Sequence, residues 1–209
     1  MGRIKTGLIP LMITTPNWYK LAEGITFTPQ EFNAMIHKDR IALAQNTNLS
    51  PQTQQLFFTG EYHGNDDRDD EYKRIVLGYL AENKSITPQT QLLFFTEKYK
   101  QKNYVLQYLA TNTSIYPQTQ RMFFTEDYWD KDIILQYLAR NRSIPLATQL
   151  LFFTEEYKEK NYVLKHLLDN PSFLKDFTLQ ELREFAKTKE ARLHVYRKRF
   201  KTIRAMVLL

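Results

Sequence analysis

The sequence predicts an all-α fold built as a stack of short helical repeats, and three observations carry that reading. The stretch LSPQTQQLFFT, residues 49–59, returns as ITPQTQLLFFT (86–96), IYPQTQRMFFT (115–125) and IPLATQLLFFT (144–154). A fixed-period repeat of this kind specifies units that stack on one another. Each copy is followed by a second apolar segment, in turn IVLGYLAEN, YVLQYLATN, IILQYLARN and YVLKHLLDN. Their apolar residues, for instance Val105, Leu106 and Leu109, follow helical rather than alternating spacing. Finally, the closing asparagines Asn46, Asn83, Asn112, Asn141 and Asn170 are spaced 37, 29, 29 and 29 residues apart. Eight extra residues within the acidic stretch 63–71 account for the long interval, so the underlying period is 29.

Residues 1–27 show no periodicity and read as an N-terminal arm, with Ile9, Leu11, Met12, Trp18, Tyr19 and Leu21 as its apolar content. The first helix start is Thr28-Pro29-Gln30-Glu31: a threonine cap, a proline at the first helical position, and a glutamate that completes a capping box. One helix is expected from there through Phe32, Met35, Ile36, Ile41 and Leu43 to Asn46. Each repeat then holds two halves. The first opens on a cap–proline pair such as Ser50-Pro51 or Thr87-Pro88, carries the Phe-Phe pair, and ends near a tyrosine: Tyr62, Tyr99, Tyr128 or Tyr157. The run LLFFT alone is compatible with a buried strand, but the leading proline and a length near a dozen residues favour helix. Helices this short are marginal alone in water, so stacking has to bury the Phe pairs and the Val-Leu-Leu set in one core.

After Asn170 the repeat decays. Thr178 and Glu181 form a capping box, and Leu193, Tyr196, Phe200, Ile203 and Val207 make a narrow apolar seam at steps of three and four. The division expected is therefore an arm (1–27), a helical-repeat stack (28–173, with the acidic insert 63–71) and basic capping helices (174–209).

The pattern L-A-x-N-x-x-I-x-P, an apolar helix, a spacer and then V-L-x-x-L-A resembles the leucine-rich-repeat-variant motif and, more broadly, HEAT-like helical repeats. The resemblance spans residues 41 to about 173. It implies a right-handed α-α superhelix, a solenoid of four to five two-helix repeats with a C-terminal capping helix or helices. The chain departs from the motif in its longer unit, in Phe-Phe where aliphatic residues are usual, and in keeping Asn-Pro only at Asn170-Pro171. No activity is implied, because such scaffolds bind many things.

With 209 residues, 43% hydrophobic and 25% charged, the chain has the composition of a soluble globular protein. The absence of cysteine excludes disulfides, thiolate catalysis and cysteine metal sites, and fits a cytoplasmic location. No apolar run approaches a membrane span. Charge is uneven: between Arg183 and Arg204 nine bases face two acids, a net +7 in a chain whose total is +6.

Positions constant in every unit serve the stack: the Phe pairs, the glutamines Gln54, Gln91, Gln120 and Gln149, and the asparagines. Their amides are suited to hydrogen-bonding from unit to unit. The aromatic column Tyr79, Tyr108, Tyr137, His166 is read as packing in preference to a base-stacking platform. Function is expected where the copies differ. On the second helices the candidate partner-binding residues are Arg74, Gln107, Asp132, Gln136, Arg140 and Lys165, within columns that also hold Asn103, Asn161, Gly78, Glu82, Thr111 and Asp169. At the basic end they are Arg183, Lys187, Arg192, Arg197, Lys198, Arg199, Lys201 and Arg204. The insert contributes Asp66, Asp67, Asp69 and Asp70, read as a solvated loop in preference to a weak cation site with His63.

No phosphate loop, nucleophile elbow or histidine pair at metal-ligand spacing is present, so no catalytic residue, metal or cofactor is assigned. The expectation is a non-enzymatic scaffold of adaptor or inhibitor type that binds a macromolecular partner, a protein first. The alternative is a nucleic-acid-binding solenoid using the basic end, whose affinity would fall steeply with salt. A third is a repeat-scaffold enzyme acting on nucleic acid, which requires an aromatic and acidic cluster on the binding face.

Overall fold

The structure is a computed structural model that describes residues 26–62, 68–96 and 102–173. Within them every regular element is a helix, ten in all: α1 (Pro29–Asn33), α2 (His37–Ala44), α3 (Pro51–Thr59), α4 (Arg68–Glu82), α5 (Pro88–Thr96), α6 (Lys102–Thr111), α7 (Pro117–Thr125), α8 (Lys131–Arg140), α9 (Leu146–Thr154) and α10 (Lys160–Asp169). The chain is all-α. The helices contact in two rows, α2, α4, α6, α8 and α10 side by side and α3, α5, α7 and α9 likewise, and α3, α5, α7 and α9 each pack on the even helix that follows. The arm up to residue 25, the Thr178–Glu181 capping box and the apolar seam lie outside the described residues.

Serine or threonine caps α1, α3 and α5, whereas α7 and α9 follow Tyr116 and Pro145 with no side-chain cap. Ser50 Oγ accepts from Thr53 N at 3.2 Å, and Thr87 Oγ1 from Thr90 N at 3.2 Å. The first phenylalanine of each pair is fully buried and the second nearly so. They interlock between units: Phe58 meets Phe94, Phe95 meets Phe123 and Phe124 meets Phe152 edge-to-face, with centroids 4.8 to 4.9 Å apart. Such contacts add about 1 kcal/mol each beyond the area they bury. Phe32 of α1 closes one end of the zipper on Phe57 at 5.1 Å, and Phe173 stacks on Phe153 at the other end. Gly60 follows from this closure, because a Cβ there would lie 2.5 Å from the Phe32 ring.

The amide columns tie unit to unit. Asn112 Nδ2 donates to the carbonyls of Ala81 (2.7 Å) and Asn83 (3.0 Å), while its Oδ1 accepts from Ser114 N at 2.8 Å. Asn83, Asn141 and Asn170 repeat the same three bonds in the unit before and the two units after. Each asparagine satisfies the end of the preceding even helix and the turn that follows its own. Gln54 and Gln91 accept from the backbone N–H that opens the next odd helix, at Thr87 (2.9 Å) and Tyr116 (3.0 Å). Gln120 cannot, since Pro145 occupies that position and has no N–H, and it accepts from the Thr148 hydroxyl instead.

The odd helices stop at threonine, three residues short of the tyrosines read as their ends. The tyrosines fold back: Tyr62, Tyr128 and Tyr157 donate their hydroxyls to the carbonyls of Phe57, Phe123 and Phe152 at 2.9, 2.6 and 2.8 Å. Burial pushes all three phenols well above the ordinary value. A lysine column completes the cap: Lys73, Lys102, Lys131 and Lys160 each donate from Nζ to the carbonyl of the second phenylalanine, Phe58, Phe95, Phe124 and Phe153. Carbonyls left open at a helix C-terminus are thus met by a cation.

Two expectations are corrected. The helix expected from Thr28 to Asn46 is two helices, with the capping box at Thr28 as read but a break after Asn33. Arg40 explains the break. Only 2% exposed, it donates to the carbonyls of Asn33 (3.1 Å) and Glu61 (2.7 Å) and lies between the rings of Phe32 and Tyr62 at 4.8 and 4.6 Å. One straight helix would hold Phe32 and Arg40 about 12 Å apart along its axis, so the chain folds back to bring them together. The acidic insert is not all loop either. Asp69, Asp70 and Glu71 form the first turn of α4, where acidic side chains suit the helix dipole, and the added turn stacks Tyr72 on His37 at 3.6 Å.

Candidate partner-binding face

The even helices bury one face in the core through Val-Leu-Leu-Ala sets such as Val105, Leu106, Leu109 and Ala110. The opposite face carries the columns that differ between units. Large side chains remain open along it at consecutive units: Tyr79 is 36% exposed, Tyr104 40%, Ile133 44% and Tyr162 51%. Tyr104, Ile133 and Tyr162 occupy the same position of α6, α8 and α10, one turn before the aromatic column Tyr108, Tyr137, His166. Helical spacing places each pair on one side of its helix, so Tyr104 meets Tyr108 and Tyr162 meets His166 edge-to-face, both at 5.0 Å.

Two clefts open on this face. The first, about 460 Å³, is lined by Arg74, Ile75, Gly78, Tyr79 and Glu82 of α4 with Tyr104 and Tyr108 of α6. The Arg74 guanidinium lies 4.2 Å from the centre of the Tyr104 ring and 3.6 Å from the Glu71 carboxylate. The hydroxyls of Tyr104 and Tyr108 are 2.6 Å apart. Hydrogen bonds from Tyr108 and then Arg74 hold the Tyr104 phenol below its usual range. The Tyr108 phenol, bonded to Tyr104 and partly desolvated, is pushed up to about 12.

The second cleft, about 220 Å³, is lined by Arg140, Arg142, His166, Asp169, Asn170 and Pro171. Arg140 Nε donates to His166 Nδ1 at 3.3 Å. Burial, then the charges of Arg140 and Lys165, hold the imidazole below its ordinary pKa against the opposing pull of Asp169.

Arg74 and Arg140, two of the residues singled out in the sequence, thus stand in separate clefts two units apart. Gln107, Gln136 and Asp132 are half-buried and Lys165 is exposed. Asp69 and Asp70 are half-buried on α4, while Asp66 and Asp67 lie outside the described residues, as does the whole basic end from Arg183 to Arg204. Among the described residues no group of three or more histidine, aspartate or glutamate side chains is placed to hold a metal ion. No helix there is long and apolar enough to cross a membrane. The aromatic column is not interior packing alone, since Tyr79 is open to solvent.

Sequence reasoning passed over the first cleft as a site. Its signal was present: Gly78 stands where the other units have Gln107, Gln136 and Lys165. It is buried, and a Cβ there would come within 3.3 Å of the Tyr108 ring. The smallest residue of a variable column marks an even helix whose outer face is hollowed beside its neighbour's aromatics.

No family model, curated protein or solved structure matches the chain.

Proposed function

We propose that the chain is a helical-repeat scaffold of the HEAT-like, leucine-rich-repeat-variant kind, a right-handed solenoid of four to five units, that binds a protein partner through the open face of its even helices. The observation that carries this reading is the exposed run Tyr104, Ile133 and Tyr162 at one matched position, extended by Tyr79 one turn further along α4 and interleaved with Arg74 and Arg140. Tyrosine and arginine are the side chains that protein interfaces concentrate at their energetic centres. A fold whose conserved-by-repeat positions are all spent on stacking leaves only such a face to discriminate partners. The same reading makes the protein an adaptor or inhibitor without turnover of its own, acting in the cytoplasm.

The test is capture from the source cell with and without nuclease, comparing the wild type, Ile133→Glu, and Arg121→Ala as a control on the exposed side of α7. A protein retained by the wild type and by Arg121→Ala, insensitive to nuclease and released by Ile133→Glu, is the expected result. Retention that vanishes on nuclease treatment, or survives Ile133→Glu unchanged, would sink the proposal.

A further inference from the structure

The first cleft has the parts of a receptor for one cationic side chain. Three tyrosines line it, and the face of a tyrosine ring attracts a cation. One of them already shows the interaction, since the Arg74 guanidinium stands over Tyr104 at 4.2 Å. That arginine is engaged by the ring and by the Glu71 carboxylate at 3.6 Å, its buried Nε lacking a hydrogen-bond partner. Glu82 is not: it is exposed, lines the cleft, and makes no hydrogen bond or ion pair among the described residues. The uncommitted charge is therefore negative and its surroundings are aromatic, an arrangement that favours a cation and repels a phosphate. The floor at Gly78 leaves the volume free, where glutamine or lysine fills the equivalent place in the other units.

We infer that this cleft between α4 and α6 binds an arginine side chain of a protein ligand, with Glu82 as counter-ion and Tyr79 and Tyr108 as the stacking walls. Arginine is the fit rather than lysine because its planar guanidinium can lie flat on a tyrosine ring while donating in its own plane to a carboxylate. The inference rests on the even-helix face being the docking face, and deepens it by naming what enters the hollow. The second cleft does not compete for such a ligand, because Arg140 stands at the place of Glu82 and already donates to His166.

The test uses the full chain with labelled tyrosines, titrated with N-acetyl-arginine methylamide and, separately, with N-acetyl-glutamate methylamide and a single-stranded oligonucleotide. Saturable shifts of the Tyr79, Tyr104 and Tyr108 ring signals are expected with the arginine probe only. Affinity should fall roughly five-fold in Glu82→Gln, the scale of one exposed ion pair. Saturation should be lost in Gly78→Gln, a side chain the fold accepts at Gln107 and Gln136. No saturable shift in the wild type, an equal response to the glutamate probe, a response unchanged in both variants, or a Glu82-dependent response to the oligonucleotide each overturns the inference. The face and the cleft fail separately. Partner release by Ile133→Glu without any probe response overturns the cleft and leaves the face standing. A Glu82-dependent probe response with no partner release by Ile133→Glu upholds the cleft and overturns the face.

Discussion

The two clefts sit at comparable places in the even-helix row, and their backbones are made alike. Asn112 ties α6 to the turn before it as Asn170 ties α10, and Phe94 fills its place in α5 as Phe152 does in α9. Their chemistry is opposite. Where one presents the uncommitted carboxylate of Glu82 beside Tyr108, the other presents Arg140 bonded to His166. One is a hollow of about 460 Å³ floored by Gly78; the other, of about 220 Å³, lies toward the helix ends beside Arg142, Asn170 and Pro171. Side-chain changes at a few outer positions, Glu82 to Arg140 and Tyr108 to His166 among them, thus give two clefts of different charge on one repeated frame. A stacked-repeat fold permits this because each outer position touches only its neighbours, so surface chemistry varies without disturbing the core.

The largest expected effects test whether the frame is indeed shared. Phe94→Ala and Phe152→Ala should each destabilise the protein by about 3 to 5 kcal/mol in urea unfolding. A difference of more than about 2 kcal/mol between them, outside the scatter expected of equivalent sites, would break the equivalence. Next, Asn112→Ala and Asn141→Ala should each cost about 2 kcal/mol, since each removes two buried bonds to carbonyls and one from an N–H. A loss under about 0.5 kcal/mol in either would mean that water replaces the ladder.

The smallest effect sharpens the electrostatic contrast. Arg140→Glu removes a charge that opposes the His166 imidazolium and adds one that favours it, so the His166 pKa, followed by NMR of its ring protons, should rise. In the wild type the folded imidazole is held below its ordinary value of 6.5. Its neutral form is the one folding favours, so its contribution is complete above that value and is lost as pH falls from there toward the lower, folded pKa. In Arg140→Glu that loss should shrink or change sign, and thermal melts between about pH 7 and pH 5 would show it. An unmoved His166 pKa would mean that burial alone sets it.

Much of the frame was legible because its signals are local or periodic. Proline after serine or threonine marked the starts of α3 and α5, and the asparagine and glutamine columns announced their ladders by recurring at the period of the stack. The lysine column Lys73, Lys102, Lys131, Lys160 recurs just as regularly, yet its role is invisible in sequence, because the carbonyls it caps belong to the preceding helix. Arg40 shows the same limit more sharply. Nothing adjacent to it demands a break after Asn33; the demand comes from Glu61 and Tyr62, brought to it by the fold.

By itself, then, the sequence determined that the chain is helical, where its repeats begin and end, and which positions are spent on stacking. Periodicity encodes burial, and caps encode helix ends, so both can be read one residue after another. Only the tertiary structure decided that Gly78 opens a hollow, that Arg74 closes over a tyrosine of the next unit, and that Glu82 is left unpaired beside three aromatic rings. Each of these depends on which helices become neighbours, and the 30 residues between Arg74 and Tyr104 become a few ångströms only when one unit packs on the next.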